Sequence, residues 1–381
     1  MSKKIVLFLL LVTMGISFLP LYNLYPQLKK INLTDSYLYP QLEKIDFSKS
    51  FNIDIFESYL NYYSWKFFNI SLNSYQVIAG NDSFLFLGNE YADVLDNHRG
   101  LNKVSPLLNK LDSDLKKIEN WYLSKKIPFV FVVAPNKHSI YNSFLPDNYK
   151  KISSNATDNF IEAINASNNR ILDLRSSIGE QFDSQDLKYY KLDTHWNKYG
   201  AYLGYKSIIA HANEKYNLSI KPISINFIKK EVILRDGDLI NFLKASNLIT
   251  KDDARTVYDY KDISFTGCVG KINLKSGALR KCIESKSEYI NVDYGPKYTI
   301  NNYFNAEKRR VLLLGDSFLA QHSEVFSSTF SHVYRWHYKH INPHMLYDFI
   351  KLNKVDMVIQ QIAERDMHGY NMLRLPTKKS D

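Results

Sequence analysis

Three side chains in two distant segments have the types and spacing needed for acyl transfer through a serine. Asp193 and His195 lie two residues apart, and Ser317 lies more than a hundred residues downstream. In an extended segment, residues i and i+2 point the same way, so Asp193 can bind one imidazole nitrogen and leave the other for Ser317. These are the orienter, base and nucleophile of a serine triad. The alternative is that His195 is a packed histidine and Ser317 only caps a helix.

The sequence before Ser317 predicts that it lies beyond the carboxyl end of a buried strand. Residues 311–314 form an apolar run, Gly315 permits a tight turn, and a helical pattern covers about 318–330. At that position, the backbone N–H of Ser317 can face a developing oxyanion, with support from the helix dipole. Residue 319 is leucine, so the segment is not the Gly-x-Ser-x-Gly elbow of α/β-hydrolases.

The elements that must position these residues alternate along the chain. Buried-strand patterns cover 129–133, 170–174, 311–314, 332–338 and 355–362, a hairpin covers about 77–87, and helical patterns cover 106–125, 156–167, 198–216, 318–330 and 343–353. This alternation predicts an α/β fold with a doubly wound, mostly parallel sheet. Residues 218–305 break the alternation. We expect them to form a β-rich insertion that acts as a lid or a substrate wall.

The amino terminus predicts export. Lys3 and Lys4 precede an apolar run from Ile5 to Leu21, which is somewhat shorter than the roughly 20 residues of a typical spanning helix. We favour a retained signal anchor over a signal peptide cleaved near residues 15–17, and both over a buried amino-terminal helix. The predicted organisation is therefore a signal anchor or signal peptide at 1–22, a stalk or cover segment at 23–75 and a catalytic domain at 76–375.

Composition excludes several classes of protein. The 381 residues are 45% hydrophobic and 23% charged, which excludes a disordered or collagen-like chain. A single apolar run excludes a polytopic membrane protein. The net charge of +10 suits an acidic partner, but the basic residues are dispersed and match no nucleic-acid-binding signature, so no nucleic-acid partner is predicted.

Cysteine and histidine usage bears on disulfides and metals. An oxidising compartment would allow Cys268 and Cys282 to pair, and two free buried thiols are the alternative. Several histidines lie close together, but they lack the His-Glu-x-x-His spacing of a metalloprotease, so no metal site is predicted. These are His332, His337, His340 and His344.

Five short motifs, taken in order, resemble the alginate O-acetyltransferase (AlgX/AlgJ) family, a branch of the SGNH-hydrolase-like proteins. They are Gly80–Asn89, Val132–Lys137, Asp193–Asn197, Gly315–Phe318 and Glu364-Arg365. The resemblance covers roughly residues 55–370. It implies an SGNH-like fold in which Ser317 is acylated, His195 is the base and Asp193 orients the base, with no cofactor.

The resemblance also implies a function. The protein would transfer acetyl groups to hydroxyls of an exported polysaccharide, and a polytopic membrane O-acyltransferase would supply the acetyl. We therefore expect a periplasmic protein, anchored in the inner membrane by its amino-terminal segment. The alternatives are a secreted acetylesterase with the same triad and a non-catalytic glycan-binding assembly factor.

Four side chains are candidates for contacting the glycan. Trp196, Trp336 and Tyr338 would stack on sugars if exposed, and core packing is the alternative for each. Arg365 follows the last strand directly after Glu364. That dipeptide predicts either a buried ion pair bracing the end of the sheet or a substrate contact. No separate carbohydrate-binding module is expected after it.

Overall fold

The computed structural model describes residues 13, 17–18, 22–25, 29, 53–102, 107–168, 170–179, 186–233, 236–250, 255–261, 263, 265–273, 275–286, 296–303, 306–368 and 373–378. The predicted membrane segment at 1–22 and the first part of the predicted stalk lie almost wholly outside these residues. None of the helices among the described residues combines the length and the hydropathy that a membrane span requires.

The described strands are three to nine residues long. They are β1 Val77–Ala79, β2 Leu85–Leu87, β3 Phe129–Ala134, β4 Ile171–Asp173, β5 Phe227–Val232, β6 Arg255–Tyr260, β7 Thr266–Lys271, β8 Ile283–Lys286, β9 Lys297–Asn301, β10 Glu307–Gly315, β11 Phe330–His337 and β12 Met357–Ala363. Eight of them form one sheet in the order β4-β3-β12-β10-β11-β9-β7-β8. Neighbours from β4 to β11 are parallel, and those from β11 to β8 are antiparallel.

The described α-helices connect these strands or flank them. They are α1 Asp54–Phe68, α2 Val94–Arg99, α3 Leu107–Ser124, α4 Lys137–Ile140, α5 Ala156–Asn168, α6 Leu174–Gly179, α7 Lys198–Tyr216, α8 Asp238–Phe242, α9 Ser323–Thr329 and α10 Pro343–Leu352. Short 3₁₀ turns include Ser317–His322 and Glu364–His368. The pattern that predicted one helix over 318–330 thus divides into a 3₁₀ turn followed by α9.

Apolar side chains on both faces of the sheet form two separate cores. In β10, Val311 and Leu313 belong to the core that contains Ile208 and Ile209 of α7. Leu312 and Leu314 of the same strand belong to the opposite core, which α3 and α10 cover. Because successive strand residues face opposite sides, the apolar run at residues 311–314 is the pattern expected where a strand is buried on both faces. The α/β prediction is confirmed, with a mixed sheet in place of a mostly parallel one.

The predicted insertion is largely part of the main sheet. β7, β8 and β9 extend it as antiparallel strands beyond β11, and β5 pairs only with β6 in a separate hairpin. Most of the β-rich segment therefore continues the scaffold, which is a structural role that we did not expect from the sequence. The hairpin predicted near 77–87 is present as β1 and β2.

Part of the predicted stalk or cover segment packs against the domain. Trp65 of α1 is buried in a third core with Leu192, which directly precedes Asp193, and with Leu239 and Ile240, which directly follow Asp238. Glu57 of the same helix also pairs with a lysine just after α8. Helix α1 therefore supports the segments that carry the candidate acids.

Candidate active site

The end of β10 holds Ser317 in a tight turn. A Cβ on Gly315 would lie 2.6–2.7 Å from side-chain atoms of Leu319 and 3.1 Å from the carbonyl oxygen of Gln361, so this position has no room for a larger residue. The carboxylate of Asp316 accepts the N–H of Phe318 at 3.0 Å and the N–H of Ala363 at 2.6 Å. These bonds tie the serine turn to the end of the neighbouring strand β12.

Burial and the negative charge of Asp366 raise the pKa of Asp316 to about 6. The group still accepts two backbone N–H bonds, which favour its ionised form. Asp316 therefore has a structural role beneath Ser317, and the sequence did not assign one to it.

The loop Asp193–Asn197, which carries His195, contacts the serine turn. Trp196 is buried, and its indole N–H donates to the carbonyl oxygen of Phe318 at 3.0 Å. The side chain of Asn197 accepts the N–H groups of Tyr199 and Gly200, and so caps α7. The loop is thus fixed at its far end by a helix cap and at its centre by a bond to the serine turn.

The three predicted triad residues lie in one line. His195 Nε2 is 2.7 Å from Ser317 Oγ, and His195 Nδ1 is 2.7 Å from Asp193 Oδ1. The same Asp193 oxygen accepts the backbone N–H of His195 at 2.8 Å. Since the carboxylate accepts from Nδ1–H, Nε2 is left to accept the serine proton. This is the geometry that a nucleophile, a base and an orienting acid require.

The charges around His195 favour its protonated form. Burial lowers its pKa, but the hydrogen bond to Asp193 and the negative charges of Asp193 and Asp238 outweigh that effect and raise the pKa above its usual value. Arg365 opposes them with a smaller effect. An imidazole in this setting can take up the serine proton and hold it as an imidazolium.

Two residues that we did not predict as site residues lie beside Asp193 and His195. Asp238, the first residue of α8, places Oδ2 3.8 Å from His195 Nδ1. Lys137, which follows β3, is buried, and its ammonium donates to the carbonyl oxygens of Leu85, Lys191 and Asp193 at 2.8–3.0 Å. No sequence pattern links Asp238 to His195. The motif Val132–Lys137 included the lysine but gave no role for it.

Glu364 and Arg365 have separate roles. Glu364 is buried, accepts the backbone N–H of Asn136 and the hydroxyl of Ser139, and lies 3.5 Å from the guanidinium of Arg175. The buried ion pair that the dipeptide suggested is therefore made with Arg175, across the sheet end. Arg365 is half-buried, lies over the Phe318 ring at 5.2 Å, and lines a small cavity with Asn136 and Thr194.

The three candidate stacking aromatics are core residues. Trp196, Trp336 and Tyr338 are only 0–2% exposed. A sugar needs an open ring face, so these three side chains are not stacking surfaces, and the alternative of core packing holds for each. Apolar packing explains their burial: Trp196 packs with Phe318, and Trp336 and Tyr338 lie in the core beneath α10.

Cys268 and Cys282 form a disulfide with a Cα–Cα distance of 5.4 Å. Cys268 lies in β7, and Cys282 directly precedes its antiparallel neighbour β8. The bond therefore braces the outer edge of the mixed sheet, away from the strands that carry the triad.

Among the described residues, one group places three possible metal-ligand atoms within 4.8 Å of one another: Asp193, His195 and Asp238. Their hydrogen bonds already engage these atoms with one another and with Thr194. The arrangement fits a proton relay, and two acids beside a histidine are not sufficient to assign a metal.

Comparison with known proteins supports the family resemblance. Residues 77–261 match the family model of the SGNH hydrolase-like domain of the acetyltransferase AlgX. The predicted family resemblance is confirmed. The AlgX-type match contains Asp193, His195 and Asp238 and stops before Ser317, which the fold brings to the same place. No curated protein matches the chain by sequence.

Solved structures share the fold at low identity. PatB1 of Bacillus cereus, solved with a sulfonyl adduct, is 17% identical with a TM-score of 0.53, over 77% of this chain and 99% of that chain. A DHHW family protein from Eubacterium siraeum is 17% identical with a TM-score of 0.52, over 80% and 100%. The O-acetyltransferase domain of Pseudomonas putida AlgJ is 16% identical with a TM-score of 0.48, over 78% and 94%. For PatB1 and the DHHW family protein, the likeness at such identities concerns the fold alone.

Proposed function

We propose that this protein is an acyltransferase that moves acetyl groups onto hydroxyls of an exported polysaccharide through an acetyl-Ser317 intermediate. The observation that carries the proposal is the unbroken line from Asp193 through His195 to Ser317, with both contacts at 2.7 Å. The match of residues 77–261 to an acetyltransferase family model supports acetyl as the group transferred.

In the first step, the Ser317 oxygen attacks the acetyl carbonyl of a donor, and His195 Nε2 takes the serine proton. Asp193 stabilises the imidazolium that forms. The backbone N–H of Ser317 is the proposed oxyanion donor, because the residue begins the 3₁₀ turn Ser317–His322. Collapse of the tetrahedral intermediate passes the proton from His195 to the leaving group and leaves acetyl-Ser317.

In the second step, a sugar hydroxyl attacks the acetyl-serine while His195 takes its proton. Collapse returns that proton to Ser317 and releases the acetylated sugar. Arg365, beside the Phe318 ring, is the side chain we assign to substrate contact at the mouth of the site. The same chemistry with water as acceptor would make the protein an esterase, so the acceptor must be tested directly.

The compartment and the partner are part of the proposal. The Cys268–Cys282 disulfide suits an oxidising compartment, which agrees with export directed by the apolar run after Lys4. We propose a periplasmic protein, held at the inner membrane by that segment. A polytopic membrane O-acyltransferase would then deliver acetyl groups from the cytoplasmic side.

The test is Ser317→Ala, with Ser124→Ala as the matched control, because Ser124 is an exposed serine at the end of α3. Acetylation of the polymer, measured by mass spectrometry, should fall by about a thousand-fold or more in the first variant and be unchanged in the second. Persistent acetylation in Ser317→Ala would indicate an assembly factor. Wild-type protein that only removes acetyl from the polymer would indicate an esterase.

A further inference from the structure

Asp238 binds the Asp193–His195 segment through both its side chain and its backbone N–H. Its carboxylate accepts both donors of Thr194, the backbone N–H at 2.7 Å and the hydroxyl. Its own backbone N–H donates to Asp193 Oδ2 at 3.1 Å. The segment from Asp193 to His195 is therefore clasped by a residue 45 positions from Asp193 in the chain.

This clasp brings a second carboxylate toward the imidazole. Asp238 Oδ2 lies 3.8 Å from His195 Nδ1, while Asp193 Oδ1 lies 2.7 Å from the same nitrogen. The Thr194 hydroxyl donates to Asp238 Oδ2, and its oxygen lies 3.3 Å from Nδ1. Because Thr194 fixes Asp238 by two bonds, the second charge has a defined position even though its side chain is 29% exposed.

Two acids this close repel each other, and the surroundings reflect that repulsion. Burial and the charge of Asp193 raise the pKa of Asp238. The positive groups around the pair are His195 itself and the buried Lys137, which interacts with both acids, while Arg365 acts on His195. An arrangement that holds two acids together in this way stabilises a cation between them, and His195 is positioned to become that cation during proton transfer.

We propose that Asp238 is a positioning residue of this site: it fixes the Asp193–Thr194–His195 turn and supplies a second negative charge to the imidazolium of His195. The inference depends on the nucleophile–base pair of the proposed function. It does not depend on the identity of the acceptor or the donor. It extends the site from three side chains to four, with Asp238 acting on His195 and on the segment that holds it rather than on the substrate.

The direct readout is the pKa of the His195 ring, followed by NMR in protein labelled at histidine, with His195→Gln used to assign the signal. Asp238→Asn removes the charge and keeps the shape. We expect the pKa of His195 to fall by about one unit in this variant. Asp147→Asn is the matched control, because that carboxylate is 96% exposed, and it should leave the His195 pKa unchanged.

A kinetic readout follows the same group without the natural substrate. A sulfonyl fluoride reacts with an activated serine, and its rate falls at low pH because protonated His195 is no longer a base. In Asp238→Asn the acid limb of this pH profile should therefore move to lower pH. The shift should be about one pH unit, equal to the fall of the His195 pKa measured by NMR. The maximal rate should also fall, about ten-fold, because the imidazolium loses a stabilising charge.

Thr194→Val tests the clasp separately, because it removes the hydroxyl link and leaves the charge of Asp238 in place. We expect a smaller fall of the His195 pKa and a slower reaction with the sulfonyl fluoride. If Asp238→Asn does not fold, Thr194→Val decides alone.

A folded variant of either kind with a wild-type His195 pKa and a wild-type pH profile would overturn the inference. Failure of polymer acetylation in the wild type would reject the proposed function and leave these two measurements valid.

Discussion

Replacing Lys137 with methionine tests what the buried ammonium does for the fold. Burial lowers the pKa of Lys137 from 10.5 to about 7, with Asp193 and Asp238 partly opposing that fall. Between these two pH values the unfolded chain binds a proton that the folded protein does not bind. The free energy of unfolding of the wild type must therefore rise with pH across this window, and a methionine variant lacks that contribution.

The size of the effect follows from the two pKa values. One pKa unit corresponds to about 1.4 kcal/mol. For a folded pKa near 7, titration is half complete at pH 7, so the gain from pH 7 to pH 9 is about 2 kcal/mol. This gain appears as a change in the stability difference between wild type and Lys137→Met, because all other titrating groups are common to both proteins.

The assay is urea unfolding, followed by tryptophan fluorescence at pH 7 and pH 9. Lys244→Met is the matched control: Lys244 is exposed and paired with Glu57, which raises its pKa, so it stays charged in both states over this range. Its stability difference from wild type should not change with pH. Parallel pH dependence of wild type and Lys137→Met would refute the argument that burial has displaced the lysine pKa.

Two further predictions concern the scaffold. Gly315→Ala should lower the free energy of unfolding by about 1–3 kcal/mol, because its Cβ would meet Leu319 at 2.6 Å; in Gly179→Ala the new Cβ meets only Ile140 at 3.7 Å, and urea unfolding of the two variants should separate them clearly. Equal stability of the two alanine variants would contradict the packing argument. Replacing both Cys268 and Cys282 with serine should cost about 3 kcal/mol in the same assay, and an unchanged urea midpoint would show that the disulfide does not restrict the unfolded chain as expected.

The alternation of strands and helices was predictable because the central strands are buried on both faces. The apolar runs at 129–133 and 311–314 have no polar position. The first forms most of β3 and the second forms the later part of β10, and both strands have a neighbour on each side. The antiparallel extension by β7, β8 and β9 was not predictable in the same way. These strands carry mixed side chains, and their place in the sheet depends on pairing with β11, which is a long-range contact.

Residue type and local spacing were enough to nominate Asp193, His195 and Ser317. A carboxylate two residues from a histidine and a serine after a buried strand each carry a chemical meaning in the sequence. The exposure of aromatic side chains could not be obtained in this way. An aromatic residue looks the same in a sequence whether its ring faces solvent or the core. Only the packing of the folded chain shows that Trp196, Trp336 and Tyr338 are 0–2% exposed.

By itself, the sequence determined which residues have the right chemistry and which segments must be buried, because both depend on side-chain type and short-range periodicity. Only the tertiary structure decided that Asp238 lies 3.8 Å from His195 and that Glu364 pairs with Arg175. It also decided that the Lys137 ammonium donates hydrogen bonds to three carbonyl oxygens. Each of these contacts joins segments far apart in the chain. Their geometry is set when the sheet orders its strands, and no local pattern records it.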